Sequence, residues 1–224
     1  SRSLVWAFYD ISTNGFYGAG LSGNRHDLAL LTSLDAYFEA QGWYADIRFD
    51  GGIGAMEAMQ QIAQAGRCQV YQQAGRLYLV RDEQRIAVVA FFSDANIVAD
   101  SLAVSWTPVS EIAPDHHRVT YLDEETWTEE TVLCYLPGVT PSVAEDIQLF
   151  GVVNRERAWK EGMFFQAQSA YRRKIIEFET DAEGLLPTLL DPISVSHSSF
   201  YGRISGAVQR VDGLNVYLTE PAQL

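Results

Sequence analysis

The chain has 224 residues, 47% of them apolar and 20% charged, which suits one large folded domain or two smaller ones and excludes a disordered chain. Its 29 acidic and 16 basic residues leave a net charge of −13, which repels phosphate and sets direct nucleic-acid binding at a disadvantage. No apolar run approaches the roughly 20 residues of a membrane-spanning helix, and no basic segment followed by an apolar one marks an export signal.

The sequence does not begin with Met, and Leu4–Tyr9 reads as a strand already under way. Together these predict a piece cut from a longer polypeptide, a processed end being the alternative. Asn14-Gly15 signals a turn. Leu28, Leu31, Leu34 or Asp35, and Phe38 recur at helical spacing, predicting a helix over 25–41 that ends at Gly42. Alternation of Ala45, Ile47 and Phe49 predicts a strand over 44–50, broken by Gly51-Gly52. A second helix is expected over 53–65, with Met56, Met59 or Gln60, and Ile62-Ala63 as its buried stripe. Two strands follow, 68–72 and 76–81, joined as a hairpin through Gln73-Ala74-Gly75. Residues 1–82 thus read as a compact α+β unit.

Beyond Asp82 the texture becomes strand-rich. Strands are expected over 86–92, 102–106, 117–121 and 131–136, separated by turn residues. One long helix is expected over 155–171, with Asn154 as N-cap and Trp159, Met163, Gln166-Ala167 and Ala170 on its packed side. Strands over 174–180, 193–197, 202–211 and 214–219 complete the chain, the last two joined through Asp212-Gly213. Residues 83–224 therefore read as a β-barrel-like domain carrying one packed helix. The predicted fold class is α+β.

A search for chemistry finds no complete site. Cys68 and Cys134 stand outside any metal-ligand spacing and read as free, reduced core thiols, with a disulfide as the alternative. His116 and His117 are adjacent, so in a strand they point to opposite faces and cannot readily share one ion; they read as surface histidines. Gly51-Gly52-Ile53-Gly54 lacks the Lys-Ser/Thr of a phosphate loop and the spacing of a dinucleotide loop. Asp123, Glu124, Glu125, Trp127, Glu129 and Glu130 form an acidic run between two predicted strands. Hydrolytic carboxylates usually come from separate elements across a cleft, and a calcium loop needs alternating ligands and a glycine. The run reads better as an exposed hairpin tip, and is the candidate interaction loop. No catalytic, cofactor or metal residue is predicted.

Four stretches, taken in order, carry a resemblance. The first runs from Val5-Trp6-Ala7-Phe8-Tyr9-Asp10 to Tyr17-Gly18-Ala19-Gly20. The second joins Phe49-Asp50, Ala55-Met56 and Ala65-Gly66-Arg67 to Gly75-Arg76-Leu77-Tyr78-Leu79-Val80-Arg81-Asp82. The third is Arg118-Val119-Thr120-Tyr121 before the acidic loop. The fourth extends from Ile147-Gln148-Leu149-Phe150-Gly151 through Ala158-Trp159-Lys160-Glu161-Gly162 and Arg172-Arg173 to Gly184-Leu185-Leu186-Pro187. In this order they resemble the central part of the tail-tip attachment (host-specificity, tail hub) proteins of lambda-like long-tailed phages and prophages. One departure stands out, since Pro187-Thr188-Leu189-Leu190-Asp191-Pro192 replaces the Pro-Gly-Asp turn usual there.

The resemblance implies a virion part at the tail tip, assembled in the bacterial cytoplasm. It implies a trimeric ring closing the tail tube, contacts with other tail proteins such as tube and tape measure, and a fold related to baseplate hub proteins. It implies no cofactor and no enzymatic activity. A receptor- or glycan-binding module of the tail tip is the alternative, and a tail-associated cell-wall hydrolase a more distant one. Acidic residues facing a channel would keep passing DNA from adhering.

Overall fold

In the computed structural model, residues 2–49, 51–106, 114–200, 208–212 and 215–218 are described, the last two segments by their backbone. In chain order the elements are α1 (Leu4–Thr13), α2 (Leu28–Gln41), α3 (Ala55–Ala65), β1 (Cys68–Gln73), β2 (Arg76–Arg81), β3 (Ala90–Ser93), β4 (Ala103–Trp106), β5 (His116–Leu122), β6 (Glu129–Cys134), β7 (Ala144–Gln148), α4 (Arg155–Tyr171), β8 (Lys174–Glu177), β9 (Ile193–Ser196), β10 (Val208–Asp212) and β11 (Asn215–Leu218). This is a mixed helix-and-sheet fold, as expected. The chain divides into two compact units. One comprises 1–83 and 106–173, the other 84–105 and 174–224. Each unit is made of two separate stretches of chain. The strands of 116–148 and the long helix, however, join the N-terminal residues rather than the C-terminal ones.

The opening segment is a helix, not a strand. Leu4, Val5, Phe8 and Ser12 are its buried residues, a 3.6-residue period that outweighs the β-branched and aromatic composition of Leu4–Tyr9. The Ser3 hydroxyl accepts the Trp6 N–H at 3.2 Å and caps the helix. Trp6 Nε1 donates to Asp35 Oδ2 at 2.6 Å, tying α1 to α2. α2 begins at Leu28, three residues later than expected, because the Asp27 carboxylate takes the Leu30 N–H. It ends at Gly42, whose φ of 65° is the left-handed cap that a residue without Cβ adopts freely. In α3 the buried stripe is Ala58, Met59, Ile62, Ala63 and Ala65, while Met56 is exposed.

These three helices and the β1–β2 hairpin enclose the first core, centred on Leu4, Val5, Phe8, Leu31, Phe38, Met59, Ile62 and Leu79. Truncating any one of the large side chains costs about 2–5 kcal/mol. The hairpin turns through Ala74 and Gly75, both at positive φ (49° and 75°), which matches the twist of the strands it joins. The strand expected over 44–50 keeps its alternation, with Ala45, Ile47 and Phe49 packed on this core. It forms no ladder; Ala45 N–H reaches Arg2 O and Asp46 N–H reaches Gly151 O. Asp50 lies outside the described residues.

The second core of the first unit lies between α4 and a three-stranded sheet of order β6-β5-β7. β5 pairs antiparallel with β6 and parallel with β7, a strand with no counterpart among the predicted elements. α4 starts at Arg155 under its Asn154 cap, as expected, and keeps Met163 and Gln166 of the expected packed side turned inward. Arg157, Ala158, Glu161, Gly162 and Gln166 are buried, whereas Trp159 is exposed. Gly162 permits the close approach: a Cβ there would lie 2.6 Å from Val119 Cγ2 and closer still to Cys134 Sγ.

The charged residues on this face are all engaged. The Arg157 guanidinium donates to the carbonyls of Tyr44 and Ala65. Arg67 donates to Glu161 from Nε at 2.8 Å and Nη2 at 3.1 Å, with its guanidinium carbon 3.8 Å from the Phe164 ring centre.

The second unit consists of two-stranded sheets: parallel β3–β9, β4–β8, and antiparallel β10–β11. No closed barrel is formed among the described residues; every sheet is open. A closed barrel needs its first and last strands to pair, and among the described residues the sheets have two or three strands. The Asp212↔Asn215 pairing agrees with the expected final hairpin, while its turn residues 213–214 lie outside the described ones. The altered segment 187–192 is a turn built on Asp191, whose Oδ2 accepts the Thr188 N–H (2.8 Å) and hydroxyl (2.6 Å) and whose Oδ1 accepts Arg85 Nη1 at 2.6 Å.

Candidate functional site

The acidic run occupies the tip of the β5–β6 hairpin, as the sequence predicts. Asp123 organises it. Its N–H donates to Thr128 O and its carbonyl accepts the Trp127 N–H, both at 2.9 Å. Its Oδ1 accepts the N–H groups of Glu125 (2.9 Å) and Thr126 (3.0 Å). Hydrogen bonds from Thr126 and then Glu125 hold the Asp123 carboxyl below its ordinary range. This local capture fixes the turn and forces Trp127 to φ 55°, with its indole 76% exposed.

The other members of the run diverge. Glu130 and Asp123 both approach the hydroxyl of buried Tyr121, which donates at 3.3 Å to Glu130 Oε2 and at 3.4 Å to Asp123 Oδ2. Burial, reinforced by Glu130 and Asp123, pushes the Tyr121 phenol up to about 12. Glu129 accepts from Gln148 at 3.3 Å. Glu124 turns the other way, its N–H on Val153 O and its carboxylate 3.8 Å from Arg2. Glu125 stays on the exposed turn. Of the six residues sharing the hairpin tip, only Asp123 and Glu130 converge among these contacts, and they do so on the buried Tyr121 hydroxyl.

Glu124 also borders a polar cleft of about 330 Å³, lined among others by Arg2, Trp43, Tyr44, Asp46 and Lys160. Sequence reasoning passes over this cleft because its residues come from four distant stretches. Its charges are matched internally. Arg2 grips Asp46 through Nε–Oδ1 at 2.8 Å and Nη2–Oδ2 at 2.6 Å and lies over the Tyr44 ring; Lys160 pairs with Glu156 at 2.7 Å. Groups already paired in this way suit polar docking better than proton transfer.

His116 and His117 are buried, at 7% and 2% exposure, which corrects their reading as surface residues. They do point to opposite sides. His116 Nδ1 meets Asp115 Oδ1 at 2.7 Å, while His117 Nδ1 meets Gln166 Oε1 at 2.5 Å and its Nε2 lies 3.2 Å from Glu145. α4 packs over the His117 side of β5 and β7 pairs along its edge, and both side chains are buried where sequence alone leaves them at a strand end. Among the described residues no group of three His, Cys, Asp or Glu side chains could hold a metal ion. Cys68 and Cys134 are free and buried. No helix among the described residues is long and apolar enough to cross a membrane.

No protein-family model matches the chain, and no curated protein matches it by sequence. A solved structure shares its fold. A tail protein from Neisseria meningitidis MC58 superposes with a TM-score of 0.51 at 13% identity, over 75% of this chain and 57% of its own. A 43 kDa tail protein of prophage MuSo2 from Shewanella oneidensis aligns with a TM-score of 0.45 at 15% identity, over 69% of this chain and 48% of its own. The chain thus spans about half the length of each.

Proposed function

We propose that this chain is a structural part of a phage or prophage tail, placed at the tail tip as a segment of the hub ring. The observation that carries the reading is the fold shared with the Neisseria tail protein. The four ordered sequence phrases support the finer assignment to the tip, the trimeric ring and the neighbouring tail proteins. A non-enzymatic role is supported by the engagement of Asp123, Glu129 and Glu130 in local hydrogen bonds. Open sheets, with edges unpaired among the described residues, suit a part whose role is to join neighbours.

The test is location in the particle. An antibody raised against this chain, applied to tails released from the producing strain and viewed by electron microscopy, is expected to mark one end of each tail. Label spread along the tube, or none on the particles, would remove the tip assignment.

One observation favours a second reading, a binding module. Trp127 projects from a stiffened hairpin tip, an arrangement suited to stacking on a sugar ring or packing against a receptor. Glycan-array binding lost in Trp127→Gly would support it; a blank array with the intact chain would argue against it.

A further inference from the structure

A groove in the first unit, about 640 Å³, runs between two strand edges. Cys68, Gln69 and Val70 of β1 form one lip, and Ile147 and Gln148 of β7 with Leu149 and Phe150 form the other. Half-buried Phe164 and Phe165 of α4 lie between them. β1 pairs on its far side with β2, and β7 on its far side with β5. Among the described residues, neither has a partner on the groove side.

Register shows which backbone groups face the opening. The β1–β2 hairpin closes on a two-residue turn, and Asp82 N–H donates to Arg67 O at 3.0 Å. Residues 67, 69, 71 and 73 therefore bond to β2, which turns the N–H and C=O of Cys68 and Val70 toward the groove. On the other side Leu149 N–H donates to Thr120 O at 2.9 Å, so the backbone groups of Gln148, one residue back, turn away from β5 and toward the groove. The two lips thus offer main-chain donors and acceptors to an extended segment lying between them.

Charge narrows the occupant. The chain carries a net −13, yet the charged side chains lining this groove, Arg67 and Asp82, are already neutralised by Glu161 and Arg172. Gln60, Gln64, Gln69, Gln148 and Gln168 supply amides instead. A neutral face is where two copies of an acidic protein approach at least electrostatic cost. The chain also supplies suitable strands, since β3, β4 and β9 contain no charged residue and each has one edge unpaired among the described residues. A strand of one copy in a groove of the next is a head-to-tail contact, the kind that closes into rings.

We propose that this groove receives an uncharged strand from a second copy of the chain, which adds its free edge to the open edge of β1. The inference rests on the ring-forming reading above and names the contact that builds the ring.

Sedimentation velocity of the intact chain over a concentration series tests it, with two variants. Gln64→Glu combined with Gln168→Glu adds two negative charges at exposed positions of the groove and is expected to weaken self-association roughly tenfold or more. Val70→Pro removes a groove-facing N–H without touching the bonds to β2 and is expected to act in the same direction, with unchanged circular dichroism showing that the fold survives. Self-association that persists unchanged in both variants overturns the groove contact and leaves the ring reading standing. A wild-type chain that stays monomeric at every concentration also overturns it, while antibody labelling of tails judges the tail assignment separately. Occupation of the groove by a small ligand or a different protein, without self-association, overturns it as well.

Discussion

Arg67, just before β1, and Glu161, in the middle of α4, meet in a two-point ion pair although 94 positions separate them. Glu161 is 2% exposed, so its charge is taken out of water and balanced almost wholly by this guanidinium. The pair fastens α4 to the helical core and explains why residues 1–83 and 106–173 form one unit.

Removing one partner is therefore costly. Glu161→Ala is expected to destabilise the first unit by about 3–5 kcal/mol, the range for stranding a buried charge. The double replacement Arg67→Met with Glu161→Leu is expected to recover most of that loss, because an apolar pair needs no compensating charge. Urea denaturation of the two variants and wild type checks both statements.

Gly162→Ala inserts a methyl where Val119 and Cys134 already sit. A loss of about 1–3 kcal/mol is expected, the usual cost of overpacking a tight contact. Shortening the opposing side chain in Gly162→Ala/Val119→Ala should restore part of it, as read by thermal melting.

Asp115 gives an acid limb. Its carboxylate accepts from the Ser142 hydroxyl (2.5 Å) and N–H groups of Ser142 and Val143, and it faces His116; Ser142 is the largest cause of its depressed pKa. A depressed carboxyl stabilises the fold above its unfolded value of about 3.9 and loses that contribution as pH falls toward the folded value. Stability should decline below about pH 4, and Asp115→Asn should be less stable than wild type at neutral pH with a flatter decline. Denaturation midpoints between about pH 2 and 6 provide the comparison.

Burial pushes the thiol of Cys68 up to about 12 and that of Cys134 up to about 11. At pH 8 both remain thiols and should resist a disulfide reagent in the native state, then react together once urea unfolds the unit. Rapid labelling of either cysteine in native protein would contradict their placement.

Trp127 bears its φ of 55° at a cost that glycine would not incur. The left-handed conformation costs an L-residue about 1–2 kcal/mol, against roughly 0.5–1 for glycine's extra unfolded freedom. Trp127→Gly is expected to hold or raise stability by up to about 1 kcal/mol. A clear loss on thermal melting would mean that the indole packs after all.

Much of the local structure was legible in the sequence. α4 and its Asn154 cap, the Gly42 stop, and the β1–β2 hairpin all rest on residues with strong local preferences. Three features were not. α1 carries strand-type residues, and its 4-5-8-12 spacing matters because other helices pack on it. The inward face of α4 also holds Arg157 and Glu161, which polarity alone places outside; distant carbonyls and the Arg67 guanidinium make their burial tolerable. β7, Ala-Glu-Asp-Ile-Gln, is an edge strand with one buried neighbour and little hydrophobic pattern. The candidate loop was found where the acidic run predicts, but its link through Glu124 to the cleft around Arg2 depends on contacts that no local spacing encodes.

The pairing of Arg67 with a residue 94 positions downstream also sets an order in time. At about 5–20 residues per second of synthesis, roughly 5–20 seconds separate the appearance of Arg67 from that of its partner. During that interval the helical core has emerged while α4 has not, and the Tyr44 and Ala65 carbonyls that Arg157 will occupy still face water. Completion of the first unit is thus deferred until the chain has already laid down residues 84–105 of the second. A nascent chain of this design completes its first unit late, after the length of chain needed to bury its interior has left the ribosome.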